Sequence, residues 1–368
     1  MRGVCALGEV GRGDRAAVGG KGARLGELSR LGIQVPTGYV VTVAAFERAL
    51  QALDPAGEIR REIEELPADD TAAITEVSGR ARARIAAAEL PGELREQIIG
   101  RYRELRGELA AAASRGEKRG GPERGAAVAV RSSATGEDAA EASFAGLQDT
   151  YLCVRGEQDL IDHVRRCWAS LYNAEAVGYR RRFGMAERDL AMAVVVQRMV
   201  EPRCAGVMFT CSPMTGDRSV ISVEACWGLG SALVSGDVTP DRFVISKVTG
   251  EILRRTVVAK PRLHQRDPGG SGVTAADVPA PLREQACLGD NEIAALARVG
   301  RRVEEHYGVP QDIEWAITER EGIVLLQSRP ETVWARRRAG PVATPRARAV
   351  DHVFEQLGRV NPVPGPER

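Results

Sequence analysis

Apolar positions along the chain alternate between two periods, one helical and one of strand type. Leu25, Leu28 and Leu31 recur at helical spacing ahead of Gly32, which can cap a helix, and the run Tyr39–Val43 then reads as a strand. From Asp54 to about Arg119, apolar residues sit at helical intervals among many Ala, Glu and Arg, with a break at Leu90-Pro91-Gly92. Glu58, Glu62 and Glu65 beside Arg60 and Arg61 read there as a solvated helix face. Residues 116–125 predict a loop by their glycine and proline content, and Ala126–Val130 a buried strand that ends in the small, polar sequence beginning at Arg131. Thr150–Val154 resumes a strand. Leu160, Ile161, Val164, Cys167, Trp168 and Leu171 then lie on one helical stripe, which makes Trp168 a core residue.

The second half is richer in strands. Leu190–Val200, Ala205–Thr210 and Ser219–Ala225 are three β-rich runs separated by turns, and Asp241–Val258 reads as a hairpin about Thr249-Gly250. Residues 265–285 predict a polar loop, which would place His264 in loop as well. Residues 290–307 predict an amphipathic helix with Ile293, Leu296, Ala297, Val299 and Val303 inward, and 312–330 two strands around a turn. The tail 335–368, with seven arginines and five prolines, reads as a linker carrying one short helix at Asp351–Gly358.

Composition narrows the function classes more than it selects one. The 368 residues carry a formal charge of +1, which gives no reason to expect nucleic acid or an anionic membrane as partner. Seven scattered cysteines without a CxxC suit reduced thiols rather than disulfides or zinc. The amino terminus has no apolar stretch of signal-peptide type, and no run of about 18 apolar residues occurs. A cytoplasmic protein is the expectation.

Four places carry candidate chemistry. The stretch VGGKGARLGEL (Val18–Leu28) places two glycines and Lys21 at a helix start, yet it is no Walker A loop: position 15 is Arg, and Gly22 stands where Ser or Thr would reach a metal. In the final hairpin, a loop of even length centred between Arg320 and Glu321 pairs positions that sum to 641. Glu314 then faces Gln327, Asp312 faces Arg329, all four share one face, and Ile313, Trp315 and Leu326 point to the other. A carboxylate beside an amide oxygen suits Mg²⁺, and an arginine beside them can clamp a phosphate; an exposed polar face with a cross-strand Asp–Arg pair explains the same residues. Arg131 projects from the end of an apolar strand beside a loop of small residues, with Gly146 and Thr150 following, an arrangement suited either to phosphate or to a plain hairpin turn. Gln197, Met199, Val200 and Glu201 lie where a buried strand turns polar, a hinge able to meet an adenine edge.

Taken in order, VGGKGARLGEL, VPTGYVVT, VAVRSSATGEDAAEASFAGLQDTYL, RCWASLY, VVVQRMV, AGVMFT, WGLGSALVSGDVTPD, EEHYGVPQDIEWA and LLQSRPET resemble the ATP-binding domain of the phosphoenolpyruvate synthase, pyruvate phosphate dikinase and rifampicin phosphotransferase family. The resemblance spans roughly residues 8–333. It implies an α+β, ATP-grasp-like, multi-lobed fold with ATP between lobes: an N-terminal lobe over 1–197, a C-terminal lobe over 198–334, and the tail beyond. Carried over position by position, it implies that Lys21, Arg131 and Arg329 act on the phosphates as the catalytic cations. Gly146 and Thr150 match the small loop over the phosphates, Gln197 with Met199–Glu201 the adenine side, and Glu314 and Gln327 the Mg²⁺ ligands. Family members pass a phosphoryl group from ATP, released as AMP and phosphate, to a histidine on a mobile domain and then to a small acceptor. None of His163, His264, His306 and His352 has the context of that histidine. The resemblance therefore implies an ATP-dependent phosphotransferase component working with a separate protein that carries a phosphohistidine swivel domain and an acceptor-binding domain. A non-catalytic ATP-binding module, or a fragment of a longer enzyme, are the alternatives. Two departures stand out: Ser231, where relatives often carry Glu, and Leu147, where Gln is common.

Overall fold

The computed structural model describes residues 3–114, 127–136, 149–331 and 334, and among these two antiparallel sheets organise the chain. The first uses β1 (Val4–Ala6), β2 (Gly38–Val41), β3 (Val128–Ala134), β4 (Thr150–Val154) and β5 (Met192–Arg198), in the order β1-β2-β5-β3-β4. The second begins with β6 (Cys204–Phe209), β7 (Val220–Trp227), β8 (Asp241–Ser246) and β9 (Ile252–Thr256). A separate ribbon of β10 (Arg262–Arg266) and β11 (Val273–Asp277) follows, and β12 (Gln311–Thr318) and β13 (Gly322–Pro330) complete the second sheet as β13-β12-β6-β7-β8-β9. The mixed helix and sheet content is that of an ATP-grasp-like α+β fold.

Helices cover the sheets where the apolar stripes direct them. The predicted helical stretch after Asp54 divides into α3 (Glu58–Glu64), α4 (Thr71–Ala87) and α5 (Gly92–Ser114), preceded by α1 (Arg15–Arg30) and α2 (Val43–Leu53). Beyond them lie α6 (Glu157–Ser170), α7 (Ala174–Arg182), α8 (Ser231–Val234) and α9 (Asp290–Tyr307). Leu160, Val164 and Trp168 of α6 pack on Val128, Val130, Val194 and Val196 of the first sheet, so Trp168 is a core residue as expected. On the second sheet, Ile293, Leu296 and Val303 of α9 pack on Met208, Ile313 and Trp315. Helix α1 serves both cores. Its Leu25 joins Val40 and Val195 on the other face of the first sheet, and its Leu28 enters the core of the second. Gly32 ends it with φ +67, the capping role its position predicts.

Three elements differ from the sequence reading. Strand β3 does not stop before Arg131 but runs on to Ala134: Ser132 and Ser133 are fully buried, and Ser133 lies directly under α1, where a small side chain is needed. Residues 265–285 are not all loop: β11 pairs with β10, register Leu263↔Ala276 and His264↔Ala275, and its small, polar residues form a two-stranded ribbon that apolar periodicity does not reveal. The VGG segment is preceded by a helical turn within α1 that the sequence pattern does not predict, and the break at Gly19 (φ 70°, ψ 178°) leaves Lys21 near the start of the second helical stretch.

Candidate functional site

Strand β3 and the β12–β13 hairpin meet at one guanidinium. Arg131, 8% exposed in the middle of β3, donates from Nη2 to Glu314 Oε2 at 2.9 Å and to Gln327 Oε1 at 2.7 Å, and from Nη1 to the Leu326 carbonyl at 2.5 Å. Its Nε–H is buried with no acceptor among the described residues. Two side-chain oxygens from neighbouring strands thus converge on a position that holds positive charge. Asp312 and Arg329 stand in the next row of the same face, with Arg329 Nε donating to Asp312 Oδ2 at 2.7 Å and Nη2 at 2.6 Å from the same oxygen. Burial pushes the Asp312 carboxyl above the usual aspartate range; the Arg329 charge and hydrogen bond oppose that, and the Glu314 and Glu331 charges add to it. Arg329 remains 43% exposed beside Asp312.

The pairing Glu314↔Gln327 and Asp312↔Arg329 is the one expected, but the turn that produces it is not. Thr318 pairs with Gly322, so the connection is the three residues Glu319–Glu321, and near the turn paired positions sum to 640. A bulge between Glu314 and Trp315 on one side leaves Leu326 unpaired on the other and restores the register at the site. Leu326 accordingly does not share the face of Ile313 and Trp315. It packs near Val200, Ala205, Ala316 and Val324, and its freed carbonyl accepts from Arg131.

Strand β3 also carries the glycine–lysine segment. Ser133 Oγ donates to the Val18 carbonyl at 2.8 Å and accepts from the Gly22 N–H at 3.0 Å, which seats the break in α1 directly on β3. A Cβ at Gly19 would lie 1.9 Å from the Ser133 carbonyl oxygen, so only glycine allows this approach. Half-buried Lys21 follows; burial pushes the Cys167 thiol up, and the Lys21 charge partly offsets it. Thr150 pairs with Arg131 across β3 and β4 and is exposed, while Gly146 and Leu147 lie outside the described residues.

A pocket of about 290 Å³ lies against the turn after β5. Met199, Val200, Glu201 and Pro202 form one wall, Gly228, Leu229, His264, Gln265 and Arg266 another, with Cys153 and Pro268 completing it. Gln197 lies next to this turn but is itself 2% exposed, donating to the Pro36 carbonyl at 3.3 Å. The Met199 N–H is taken by the Ala127 carbonyl at 2.9 Å, which removes it from the hinge donors available to a ligand. The structure therefore groups Arg131, Glu314, Gln327 and Arg329 on facing strands and Met199–Glu201 on the pocket wall. The polar wall from β10 was not legible in the sequence, because β10 and β11 carry no strand-type alternation.

The sequence matches the pyruvate phosphate dikinase AMP/ATP-binding domain over residues 15–349. The chain belongs to that family. It is 43% identical over 324 residues to a probable phosphoenolpyruvate synthase of Methanothermobacter thermautotrophicus, covering 88% of this chain and 45% of that protein. It is likewise 43% identical over 331 residues to a rifampicin phosphotransferase of a Streptomyces species, covering 89% of this chain and 36% of the relative. The phosphoenolpyruvate synthase of Pyrococcus furiosus is 38% identical over 362 residues, with 88% and 43% covered. The chain thus spans less than half the length of these dikinase-family relatives. Among the described residues no helix is long and apolar enough to cross a membrane, and none of the cysteines is in a disulfide.

Proposed function

We propose that this ATP/AMP-binding domain binds Mg·ATP between its two sheets and transfers the β-phosphoryl group to a histidine on a separate protein, with AMP as leaving group and the γ-phosphoryl group passing to water as inorganic phosphate. That partner carries the phosphohistidine swivel domain and the site of the final small-molecule acceptor; neither nucleic acid nor membrane takes part, and the setting is the cytoplasm. On this reading the sheets over 1–197 and 198–334 are the two lobes. The observation that carries it is the convergence of Glu314 and Gln327 oxygens on the Arg131 guanidinium, with Arg329 in the adjoining row.

The donor set fits Mg²⁺, since a carboxylate and an amide oxygen already point at one cationic position and a hard cation takes oxygen ligands. Glu314 and Gln327 would hold the ion, which when bound neutralises triphosphate charge. Arg131, whose Nε–H has no acceptor among the described residues, would supply charge and N–H groups to the phosphates. Lys21 approaches the phosphates from the α1 break, Arg329 stands by the transferred group, and Gly146 and Thr150 close over the chain of phosphates. Gln197, Met199, Val200 and Glu201 form the adenine side, where the Val200–Glu201 peptide groups are left for the base edge once Met199 N–H is committed to Ala127. Rate enhancement would then rest on positioning and electrostatics.

The test is incubation with Mg·ATP and candidate histidine-domain proteins, followed by detection of acid-labile phosphohistidine and of AMP. Consumption of ATP with neither product would refute the transfer. Replacing Lys21 with Ala should weaken ATP binding or turnover while the fold survives; no change in either would remove Lys21 from the site.

A further inference from the structure

The pocket beside the Met199–Pro202 turn has one wall that the site residues above do not explain. Arg266 is held by Glu201, Nη1 to Oε1 at 2.7 Å, so the most obvious cation on this wall is already engaged. Beside it, His264 is fixed from both ends: Nδ1 lies 3.0 Å from Ser231 Oγ, and Nε2 lies 3.2 Å from Asp237 Oδ2. Asp237 in turn accepts from Ser235 Oγ at 2.6 Å. Each ring nitrogen thus lies beside a polar side chain that holds the imidazole in place. The backbone is equally constrained. The His264 carbonyl accepts from the Leu229 N–H at 2.8 Å, and at Gly228 (φ +69) a Cβ would come within 2.4 Å of that carbonyl.

An imidazole whose two nitrogens are already occupied has few hydrogen bonds left for a ligand. What it can still offer is a flat conjugated face, and Met199, Val200 and Leu229 supply apolar surface around the same pocket. We propose that His264 is a base-stacking residue, held in place by Ser231 and Asp237 as positioning residues, so that the pocket takes a planar heteroaromatic base, the adenine of ATP. The inference rests on the ATP reading above and adds to it a specific recognition surface from β10. It also gives a role to Ser231, whose hydroxyl lies 3.0 Å from Nδ1 of the ring.

The test compares calorimetric titrations of Mg·ATP and of Mg·tripolyphosphate, which has phosphates but no base, into the wild-type protein, His264→Ala and His264→Phe. Stacking of one base on an aromatic ring accounts for about a tenfold change in affinity. His264→Ala should therefore bind Mg·ATP about tenfold more weakly, with tripolyphosphate unaffected, and His264→Phe should stay near wild type with both ligands. Equal ATP affinity in wild type and His264→Ala overturns the inference alone. A parallel loss of ATP and tripolyphosphate binding in His264→Ala also overturns it, since that marks a structural role. A wild-type protein that binds no ATP overturns the functional reading itself.

Discussion

Substituting Gly19 with Ala tests how the glycine–lysine segment is built. Gly19 has φ 70° and ψ 178°, a region that residues with a Cβ rarely enter, at a cost of about 1–3 kcal/mol. In addition the new methyl would sit 1.9 Å from the Ser133 carbonyl oxygen and 2.5 Å from its carbon, both backbone atoms of a strand paired on each side. Relief requires α1 to lift from β3, which sacrifices the hydrogen bonds between Ser133 Oγ and Val18 and Gly22, each with a net value of about 1 kcal/mol. The sum is a destabilisation of about 3–5 kcal/mol, a size reached only by strain or core disruption. Urea unfolding followed by circular dichroism should show it as a lower midpoint. Gly13→Ala, where a Cβ meets nothing within 4 Å, serves as the control. Because Lys21 lies two residues on, any folded Gly19→Ala protein should also bind Mg·ATP more weakly. An unfolding free energy within about 0.5 kcal/mol of wild type would refute the close approach.

Three other outcomes follow from the same structure. Gly79 lies exposed inside α4 with open space around its would-be Cβ, so Gly79→Ala should stabilise the protein by about 0.5–1 kcal/mol in urea unfolding, the opposite sign from Gly19. Asp312→Asn removes a carboxyl that burial raises above its usual range, and with it the charge that orients Arg329; stability at neutral pH should hold or rise slightly while phosphoryl transfer falls, as read by melting and by AMP release. The Glu27 carboxyl is held below its ordinary value of 4.5, first by the Arg12 N–H and then by His306 and Arg30, against some desolvation. A depressed acid contributes stability that is complete above its unfolded value and lost as pH falls through the folded one. Melting temperature should therefore decline below about pH 4.5, and Glu27→Gln should flatten that part of the profile.

Much of this arrangement is legible in the order of residues, though not always for the reason first apparent. Alternation in a short hairpin pairs Glu314 with Gln327, but an even turn was the wrong cause: an odd turn and a bulge at Leu326 combine to the same register, and a bulge of this kind has no signature in residue type. Trp168 and the inward stripe of α9 are plain in sequence because large apolar residues at helical spacing have one efficient way to be buried. The extension of β3 through Ser132 and Ser133 is not, since small polar residues read as loop until their burial is seen. The same holds for β10 and β11, where a ribbon of mixed polarity hides both a strand and the His264 wall. The VGGKG glycines point correctly to a tight backbone approach, yet the partner is the Ser133 carbonyl more than a hundred residues away, and sequence spacing cannot name it.

The central claim, that Glu314 and Gln327 hold the ion that accompanies ATP, is met most directly by calorimetric titration of ATP into wild type and Glu314→Ala, each with and without Mg²⁺. The account predicts that wild type binds ATP far more tightly with Mg²⁺ and that Glu314→Ala loses most of that difference while remaining folded. ATP affinity that is indifferent to Mg²⁺ in the wild type, or a Mg²⁺ dependence unchanged in Glu314→Ala, would contradict it.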